Sequence, residues 1–260
     1  MTDTKKQLGQ HWLKDESVLQ AIVDAGEVRP DDFVLEIGPG MGTLTRKLVE
    51  TGAEILALEF DKDLITGLRA LAANCKKLAI SVGDVRTFDL TQLPHGYKVI
   101  ANIPYYLTSH LIRSLSESAN PPSLAVLLIQ KEVAERLCAG QGSMSILAVT
   151  AQFYFDCELD IEVPAHFFTP PPKVDSQVVV LRRREKKLFD VDEKSFFRLV
   201  KAGFSEKRKT LRNALSGGLA VSKTEAEAML KNAEIDPGLR AQALTLDQWH
   251  RLYKAVTQTK

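Results

Sequence analysis

The apolar run at residues 98–102 ends in an amide, a proline and two phenol rings. The side-chain oxygen of Asn102 and the backbone carbonyl of Ile103 or Pro104 can accept both hydrogens of an amino group on an aromatic ring. Those two hydrogen bonds would turn the nitrogen lone pair, otherwise delocalised into the ring, towards an electrophile. Pro104 makes the corner rigid and has no N–H, and Tyr105 offers a stacking face for a base. We therefore expect this corner to activate an amino group on an aromatic ring by positioning it, and we expect Tyr106 to be packed in the interior.

A glycine-rich turn, Gly38-Pro-Gly40-Met-Gly42, follows the first candidate strand. Glycines at this position let the backbone turn sharply and approach a ligand closely. Glu59 ends the second strand 21 residues after Gly38, where its carboxylate can accept hydrogen bonds from both hydroxyls of a ribose. A nicotinamide dinucleotide and S-adenosylmethionine both satisfy this pattern.

Three details favour S-adenosylmethionine. The loop is a G-x-G-x-G sequence with Pro39 at its first variable position, which is shorter than the dinucleotide pattern. Glu36, directly before the loop, suits a cofactor with a sulfonium and an ammonium group better than a pyrophosphate. Asp84 ends the third strand, where it can accept a hydrogen bond from an adenine amino group.

Short β-rich runs alternate with amphipathic stretches over the first 180 residues, which is typical of a parallel sheet flanked by helices. The last two runs have almost no helical pattern between them, so we expect an antiparallel pair that completes seven strands. The candidate strands are Phe33–Ile37, Ile55–Glu59, Ala79–Val82, Val99–Asn102, Leu124–Gln130, Glu158–Val163 and Gln177–Arg182. The helical segments between them are Asp61–Ala73, Thr108–Ser118 and Lys131–Ala139.

The strand pattern stops after Arg184, and helical patterns follow. Lys194–Phe204 has apolar residues at helical intervals, and Ser222 and Thr245 each open a capping box. We therefore predict an α/β domain over residues 1–185 and a small all-helical domain over residues 186–260.

Composition excludes several classes of protein. The 260 residues are 45% hydrophobic and 26% charged, as in soluble globular proteins, and no apolar run is long enough for a membrane span. The N-terminus lacks the apolar core of a secretory signal. Three widely spaced cysteines and five scattered histidines indicate reduced thiols and no metal site. We expect a cytoplasmic protein that acts as a monomer.

Positive charge is concentrated between Arg182 and Arg212, where 12 Lys and Arg stand against 5 Asp and Glu in a chain whose net charge is +1. Such a block favours a polyanionic partner. The run at residues 207–212 suggests a helix that packs on one side and is basic on the other. The residues expected to contact RNA phosphates are Arg113, Lys131, Arg136, Lys207, Arg208, Lys209 and Arg212.

Four motifs resemble those of the ribosomal RNA adenine N6,N6-dimethyltransferases, with the bacterial small-subunit (16S) enzymes as the nearest group: GQHWL, EIGPG, NIPY and FTPPPKVDS. The resemblance covers essentially the whole chain, including GFSEKRKTLRNAL. It implies a Rossmann-like class I methyltransferase fold and S-adenosylmethionine as cofactor. It also implies dimethylation of two adjacent adenosines in a terminal hairpin loop of 16S rRNA during subunit assembly.

The resemblance also implies roles for individual residues. His11 and Leu13 would line the cofactor entrance, Gly38 its methionine part, Glu59 its ribose and Asp84 its adenine, while Asn102 would bridge cofactor and base. Tyr105 and Phe168 would stack on opposite faces of the base. The family usually has Gln-Asn-Phe where this chain has Gln10-His11-Trp12, which makes the role carried over to His11 less secure.

Three alternatives remain at this point. One is a methyltransferase of similar build that acts on DNA adenine or on large-subunit rRNA. A second is a noncatalytic assembly or transcription factor that keeps the fold, against which the intact glycine loop, Glu59, Asp84 and Asn102 argue. A dehydrogenase is the weakest, because nothing in the chain resembles a hydride-transfer site.

Overall fold

The computed structural model describes residues 10–258, so most of the segment used in the secretory-signal argument lies outside the described residues. All seven candidate strands are present, with ends within three residues of those predicted. Two additional short strands pair with each other. The strands are β1 (Trp12–Leu13), β2 (Phe33–Ile37), β3 (Glu54–Glu59), β4 (Leu78–Val82), β5 (Lys98–Asn102), β6 (Leu124–Gln130), β7 (Phe155–Val163), β8 (Phe168–Thr169) and β9 (Ser176–Arg183).

The main sheet has the strand order β4-β3-β2-β5-β6-β9-β7. Its first five strands are parallel, while β9 runs antiparallel to both β6 and β7. The expected seven-stranded, mostly parallel sheet with an antiparallel pair is therefore confirmed. The order reverses direction between β2 and β5, and ligands of such sheets bind outside the carboxyl ends of the strands at that point.

The central strands are apolar because both of their faces are covered. Every residue of β6 except Gln130 is buried, and Val34–Ile37 of β2 are buried as well. Continuous Val, Ile and Leu runs of this kind are typical of parallel strands with helices on both sides. The resulting rigid sheet fixes the positions of the residues at its carboxyl edge.

Ten α-helices occur within residues 10–258, and none of them is both long and apolar enough to cross a membrane. The segment 61–73 begins as a 3-10 turn and continues as a helix. The helices are α1 (Glu16–Ala25), α2 (Thr43–Glu50), α3 (Ile65–Ala72), α4 (Thr108–Glu117), α5 (Lys131–Leu137), α6 (Ile146–Tyr154), α7 (Glu193–Gly203), α8 (Leu211–Leu219), α9 (Lys223–Asn232) and α10 (Leu246–Gln258).

Both capping boxes are confirmed. At the start of α9, the Ser222 hydroxyl accepts from the Glu225 N–H at 3.1 Å and Glu225 accepts from the Ser222 N–H at 2.7 Å. Thr245 and Gln248 make the same reciprocal pair before α10, at 3.2 and 2.8 Å. Each box satisfies two N–H groups that have no partner within their own helix.

The basic run at 207–212 is not a continuous helix, which corrects the sequence-based expectation. Lys207, Arg208 and Lys209 lie in an exposed turn, and α8 begins only at Leu211. The first N–H of α8 donates to the Leu239 carbonyl at 2.6 Å. This contact comes from a segment distant in sequence, so the helical spacing alone did not reveal where the helix starts.

Contacts divide the chain into two compact units. The first takes the residues up to Glu135 together with Phe155–Arg183, and the second takes Arg136–Tyr154 together with the residues from Arg184 onward. The predicted boundary at residue 185 lies next to the last point at which the chain passes from one unit to the other, after Arg183. The assignment of Arg136–Tyr154 to the helical unit has no counterpart in the sequence-based division, which places a single boundary.

Candidate active site

One cavity opens at the carboxyl edge of the sheet, at the point where β2 and β5 diverge. All nine residues proposed from sequence for the cofactor and the base line this cavity. They come from the N-terminal segment, the glycine loop, the tips of β3, β4 and β5, and the short strand β8. The residues are His11, Leu13, Gly38, Glu59, Asp84, Asn102, Pro104, Tyr105 and Phe168.

The glycine loop is shaped for close approach. Gly38 and Gly40 have φ values of 69° and 60°, a region that L side chains rarely adopt. A Cβ on Gly40 would lie 3.5 Å from the indole ring of Trp12, so a larger side chain at residue 40 would fill the space beside the loop. The Gly40 N–H donates to Glu59 Oε2 at 3.0 Å. The loop and the tip of β3 are thereby held together.

Glu59 is 6% exposed and is held at the tip of β3 by backbone donors. Its Oε1 accepts from the Asp61 N–H at 2.7 Å, while its Oε2 accepts from Gly40. Burial raises the pKa of the Glu59 carboxyl above its usual value, although these backbone hydrogen bonds oppose the shift. Each oxygen has a second lone pair, so two further donors such as ribose hydroxyls can bind.

Asp84 follows β4 and is already engaged by a cation. The Arg86 guanidinium donates to both Asp84 oxygens, with an Nη2–Oδ2 distance of 2.5 Å. This pairing lowers the pKa of the Asp84 carboxyl below its usual value, so the group is anionic. The sequence argument identified Asp84 but not Arg86, because the pair depends on how the chain turns after β4.

Glu36 lies one residue before the end of β2 and is 1% exposed. Within residues 10–258, neither its Oε2 nor the Thr45 hydroxyl has a hydrogen-bond partner. Burial raises the pKa of the Glu36 carboxyl to about 8; the Glu59 carboxyl adds to this shift and Thr45 opposes it. An unpaired carboxyl oxygen in a cavity wall fits a cationic ligand such as S-adenosylmethionine.

Asn102 at the tip of β5 is oriented by the N-terminal segment. Its Nδ2 donates to the His11 carbonyl oxygen at 3.4 Å, which leaves the side-chain oxygen as an acceptor. The Pro104 carbonyl accepts the Leu107 N–H at 3.0 Å. One of the two lone pairs of the Pro104 carbonyl is thereby occupied, so Pro104 can accept only one further hydrogen bond.

Tyr105 is half-buried at the same corner. Its hydroxyl forms a hydrogen bond with Ser176 Oγ at 2.8 Å, and its ring is stacked with the His11 ring at a centroid distance of 6.1 Å. His11 Nδ1 lies 2.7 Å from the Pro170 carbonyl oxygen. Burial raises the pKa of the Tyr105 hydroxyl. These contacts fix the Tyr105 ring beside Asn102.

Phe168 is only 3% exposed, and its backbone pairs with Leu13 in the β1–β8 ladder. The ladder joins the FTPPP segment to the GQHWL segment, a pairing that sequence spacing alone did not indicate. Leu13 is 1% exposed, and its carbonyl accepts the Thr43 hydroxyl at 3.0 Å. The buried side chains of Leu13 and Phe168 therefore form part of the cavity wall and not an exposed surface.

The cavity mouth is apolar, which the sequence reasoning missed. Tyr106 is 58% exposed, so the expectation that it packs in the interior is wrong. Phe60 and Met41 are 55% and 42% exposed, and they line the same cavity as Tyr106. Exposed apolar side chains around a cavity mouth are typical of a binding surface.

The seven cations proposed for RNA differ in whether they have acidic partners. Three have acidic partners: Arg113 pairs with Glu117 at 3.0 Å, Lys131 with Glu162 at 2.7 Å and Arg212 with Glu227 at 3.2 Å. Arg136 lies at the start of the first stretch of the helical unit. Lys207, Arg208 and Lys209 are exposed, and no ion-pair partner for them exists within residues 10–258.

A second group of cations was not singled out from the sequence. Lys194, Arg198 and Lys201 are exposed on α7 at helical spacing. Like the turn at 207–209, they have no ion-pair partner in the part of the chain that the structure describes. The signal was present, because all three lie inside the +7 block between Arg182 and Arg212.

Comparisons with known proteins identify the family of this chain. The family profile described as ribosomal RNA adenine dimethylase matches residues 1–258. The small-subunit rRNA methyltransferase A of Syntrophotalea carbinolica is 41% identical, over 97% of this chain and 96% of that protein. The protein of the same name from Dehalococcoides mccartyi is 38% identical, over 98% of this chain and 89% of that protein.

Two solved structures also match. A dimethyladenosine transferase from Plasmodium falciparum has a TM-score of 0.81 and 27% identity, over 95% of this chain and 98% of that one. The 23S rRNA methyltransferase ErmE has a TM-score of 0.76 and 27% identity, over 95% of this chain and all of that one. The chain belongs to the ribosomal RNA adenine dimethylase family and is an S-adenosylmethionine-dependent rRNA adenine dimethyltransferase.

Proposed function

We propose that this enzyme dimethylates the N6 amino groups of two adjacent adenosines in a terminal hairpin loop of 16S rRNA, during assembly of the small ribosomal subunit. The observation that carries the amine chemistry is the Asn102 amide, oriented by the His11 carbonyl at the switch point of the sheet. The small-subunit target is supported by relatives of that name at 38% and 41% identity.

The cofactor would be held by residues of β2, β3 and β4 and the loops that follow them. Gly38 would accommodate its methionine part, Glu59 would accept the ribose hydroxyls and Asp84 the adenine amino group. His11 and Leu13 would border its entrance. S-adenosylmethionine supplies a methyl group made electrophilic by a positive sulfonium.

The target base would be held at the tip of β5. Asn102 Oδ1 and the backbone carbonyl of Ile103 or Pro104 would each accept one N6 hydrogen, which directs the nitrogen lone pair out of the ring plane. Tyr105 would stack on one face of the adenine, and Phe168 would support the other face. The enzyme would act chiefly by orientation of the amine and exclusion of water, and the amine proton would leave to solvent.

The RNA backbone would be bound by cations that carry no internal partner. Lys207, Arg208 and Lys209 fit this role better than Arg113 and Lys131, whose charges are balanced by Glu117 and Glu162. Contacts of this kind give affinity without sequence information. Selection of the target would then depend on RNA shape and on loop bases that can be splayed into the cavity.

We also propose that one chain suffices for catalysis, because every residue assigned to the cofactor and the base belongs to one cavity of one chain. Sedimentation of the free enzyme and of its complex with the small subunit tests this point. A single copy in both would support it, and activity found only in a dimer would contradict it.

A competition between ribosomal particles tests the target. Unmodified small subunits, large subunits and adenine-rich duplex DNA are offered together with labelled S-adenosylmethionine, and label is counted in each after separation. We expect label in the small subunit alone. Label in the large subunit would favour the activity named for ErmE, and label in DNA would contradict an rRNA target.

A further inference from the structure

The cofactor cavity contains a buried acid, Glu36, that has no part in the proposed binding of the ribose, the adenine or the target base. Glu36 lies on β2 between β3 and β5, opposite Ala57 and Ile100, so apolar strands flank it on both sides. Its side chain lines the same cavity as Glu59 and Asn102. It is therefore sealed from bulk water by the sheet but borders the space that the cofactor would occupy.

The surroundings of Glu36 do not support a negative charge when the cavity holds no cation. A buried carboxylate needs hydrogen-bond donors or a cation to replace water, and Glu36 Oε2 has neither within residues 10–258. The Thr45 hydroxyl is close enough to lower the pKa of Glu36, but within the described residues it has no partner at hydrogen-bond geometry. Burial, helped by the Glu59 carboxyl, outweighs this effect and raises the pKa of Glu36 to about 8.

The other charged and titratable groups that line the cavity, among the described residues, provide no free cation for Glu36. From β3 comes Glu59, with Asp61 behind it bound to Gln10 Nε2 at 3.0 Å. From the loop after β4 come Asp84 and Arg86, which pair with each other. The N-terminal segment contributes His11, and the β5 corner contributes Tyr105 and Tyr106. Arg86 is the one Lys or Arg among the described lining residues, and Asp84 neutralises it.

We infer that Glu36 is a neutral carboxylic acid in the free enzyme, that it releases its proton to solvent when S-adenosylmethionine binds, and that it thereby favours the methyl donor over the thioether product. The donor carries a sulfonium and an ammonium against one carboxylate, for a net charge of +1, whereas the product lacks the sulfonium charge. A nearby cation favours the ionised carboxyl, so the donor ionises Glu36 more fully than the product does.

The sign of the pH dependence follows from this linkage. Binding that releases a proton becomes tighter as the pH rises, as long as the free enzyme still holds that proton. Affinity for the donor should therefore increase by up to about tenfold per pH unit below pH 8, and level off above it. Affinity for the product should rise less steeply, so the preference for the donor grows over the same range.

Calorimetric titration of the free enzyme tests the inference without RNA, so its outcome is independent of the rRNA target. S-adenosylmethionine and S-adenosylhomocysteine are each titrated at pH 7 in buffers with different heats of ionisation. We expect release of about one proton with the donor and clearly less with the product. Equal release with both ligands, or no release with the donor, would overturn the inference.

Two variants identify the group that releases the proton. Glu36→Gln keeps the shape of the side chain but has no proton to lose, so its donor affinity should become independent of pH from 6 to 8, within about twofold. His11→Asn removes the other titratable group at the entrance and should keep the proton release. Release that persists in Glu36→Gln, or disappears in His11→Asn, would assign the proton elsewhere. The wild-type buffer comparison stands alone if Glu36→Gln does not fold.

Discussion

The Asn102 side-chain amide donates to the backbone carbonyl oxygen of His11 across 3.4 Å, which links the tip of β5 to a residue 91 positions earlier in the chain. His11 is itself held by the Pro170 carbonyl, and the adjoining β1 pairs with β8. The orientation of Asn102 therefore depends on the pairing of the GQHWL and FTPPP segments.

The Tyr105 ring and its hydroxyl make separable contributions. Tyr105→Phe removes the hydrogen bond to Ser176 but keeps the ring, so we expect kcat/KM for methyl transfer to fall only severalfold. Tyr105→Ala removes a stacking face worth about 1–3 kcal/mol, which predicts a loss of roughly 5- to 150-fold. Tyr106→Ala, at the exposed neighbouring phenol, is the matched control and should cost less than Tyr105→Ala. Equal losses for Phe and Ala at residue 105 would assign the role to the hydroxyl instead.

The exposed turn at 207–209 should control affinity for the ribosomal particle. In Lys207→Ala/Arg208→Ala/Lys209→Ala we expect weaker binding to small subunits and a salt dependence, as log K against log salt, that is shallower by about two. S-adenosylmethionine affinity should stay unchanged because no residue of this turn lines the cofactor cavity.

Arg113→Ala/Lys131→Ala is the control for that experiment, since it removes two cations that already have acidic partners. We expect a smaller change in the salt slope than the turn variant gives. A larger change in the salt slope for Arg113→Ala/Lys131→Ala than for the turn variant would indicate that the RNA backbone binds the catalytic unit. Loss of cofactor binding in the turn variant would show that the turn is structural.

Glu36 should lower the stability of the cofactor-free enzyme as the pH rises. The folded-state pKa of about 8 lies above the ordinary value of 4.5, so its stabilising effect is complete below pH 4.5 and is lost as the pH rises to 8. Relative to Glu36→Gln, the free energy of unfolding of the wild type should fall by up to about 1.4 kcal/mol per pH unit in that window. Urea unfolding at several pH values measures it, and parallel curves for the two proteins would contradict a neutral Glu36.

Two adjacent glycines of α8 should respond oppositely to alanine. A Cβ on Gly218 would lie 2.6 Å from Ala202 Cα of α7, whereas a Cβ on Gly217 would meet only Glu206 Oε1 at 3.8 Å. We expect Gly218→Ala to destabilise the helical unit by about 1–3 kcal/mol and Gly217→Ala to stabilise it by up to about 1 kcal/mol. Urea unfolding of both variants checks this, and equal effects would mean that α7 and α8 do not pack closely at Gly218.

The sheet and the edge that carries the site were predictable because their patterns are local. Apolar strands separated by helices imply parallel order, and parallel order places the residues that end the strands, such as Glu59 and Asn102, at one edge. In contrast, α6 was missed because its sequence, ILAVTAQFY, is apolar on nearly every side, so it shows no helical periodicity.

Other features depend on contacts between distant segments and were therefore hidden. The start of α8 is set by the Leu239 carbonyl, which left Lys207–Lys209 in a turn. The pairing of Leu13 with Phe168 joins residues near opposite ends of the sequence of the catalytic unit. The buried state of Glu36, and hence its raised pKa, follows from the complete sheet and not from the residues beside it.

Nucleoside analysis of the product tests the central claim most directly. Unmodified small subunits are incubated with S-adenosylmethionine and either the wild-type enzyme or Asn102→Ala, and the digested rRNA is examined by mass spectrometry. We predict N6,N6-dimethyladenosine at two adjacent positions with the wild type and almost none with Asn102→Ala. The absence of methylated adenosine from any rRNA particle, despite measurable cofactor binding, would contradict an enzyme that acts on this RNA.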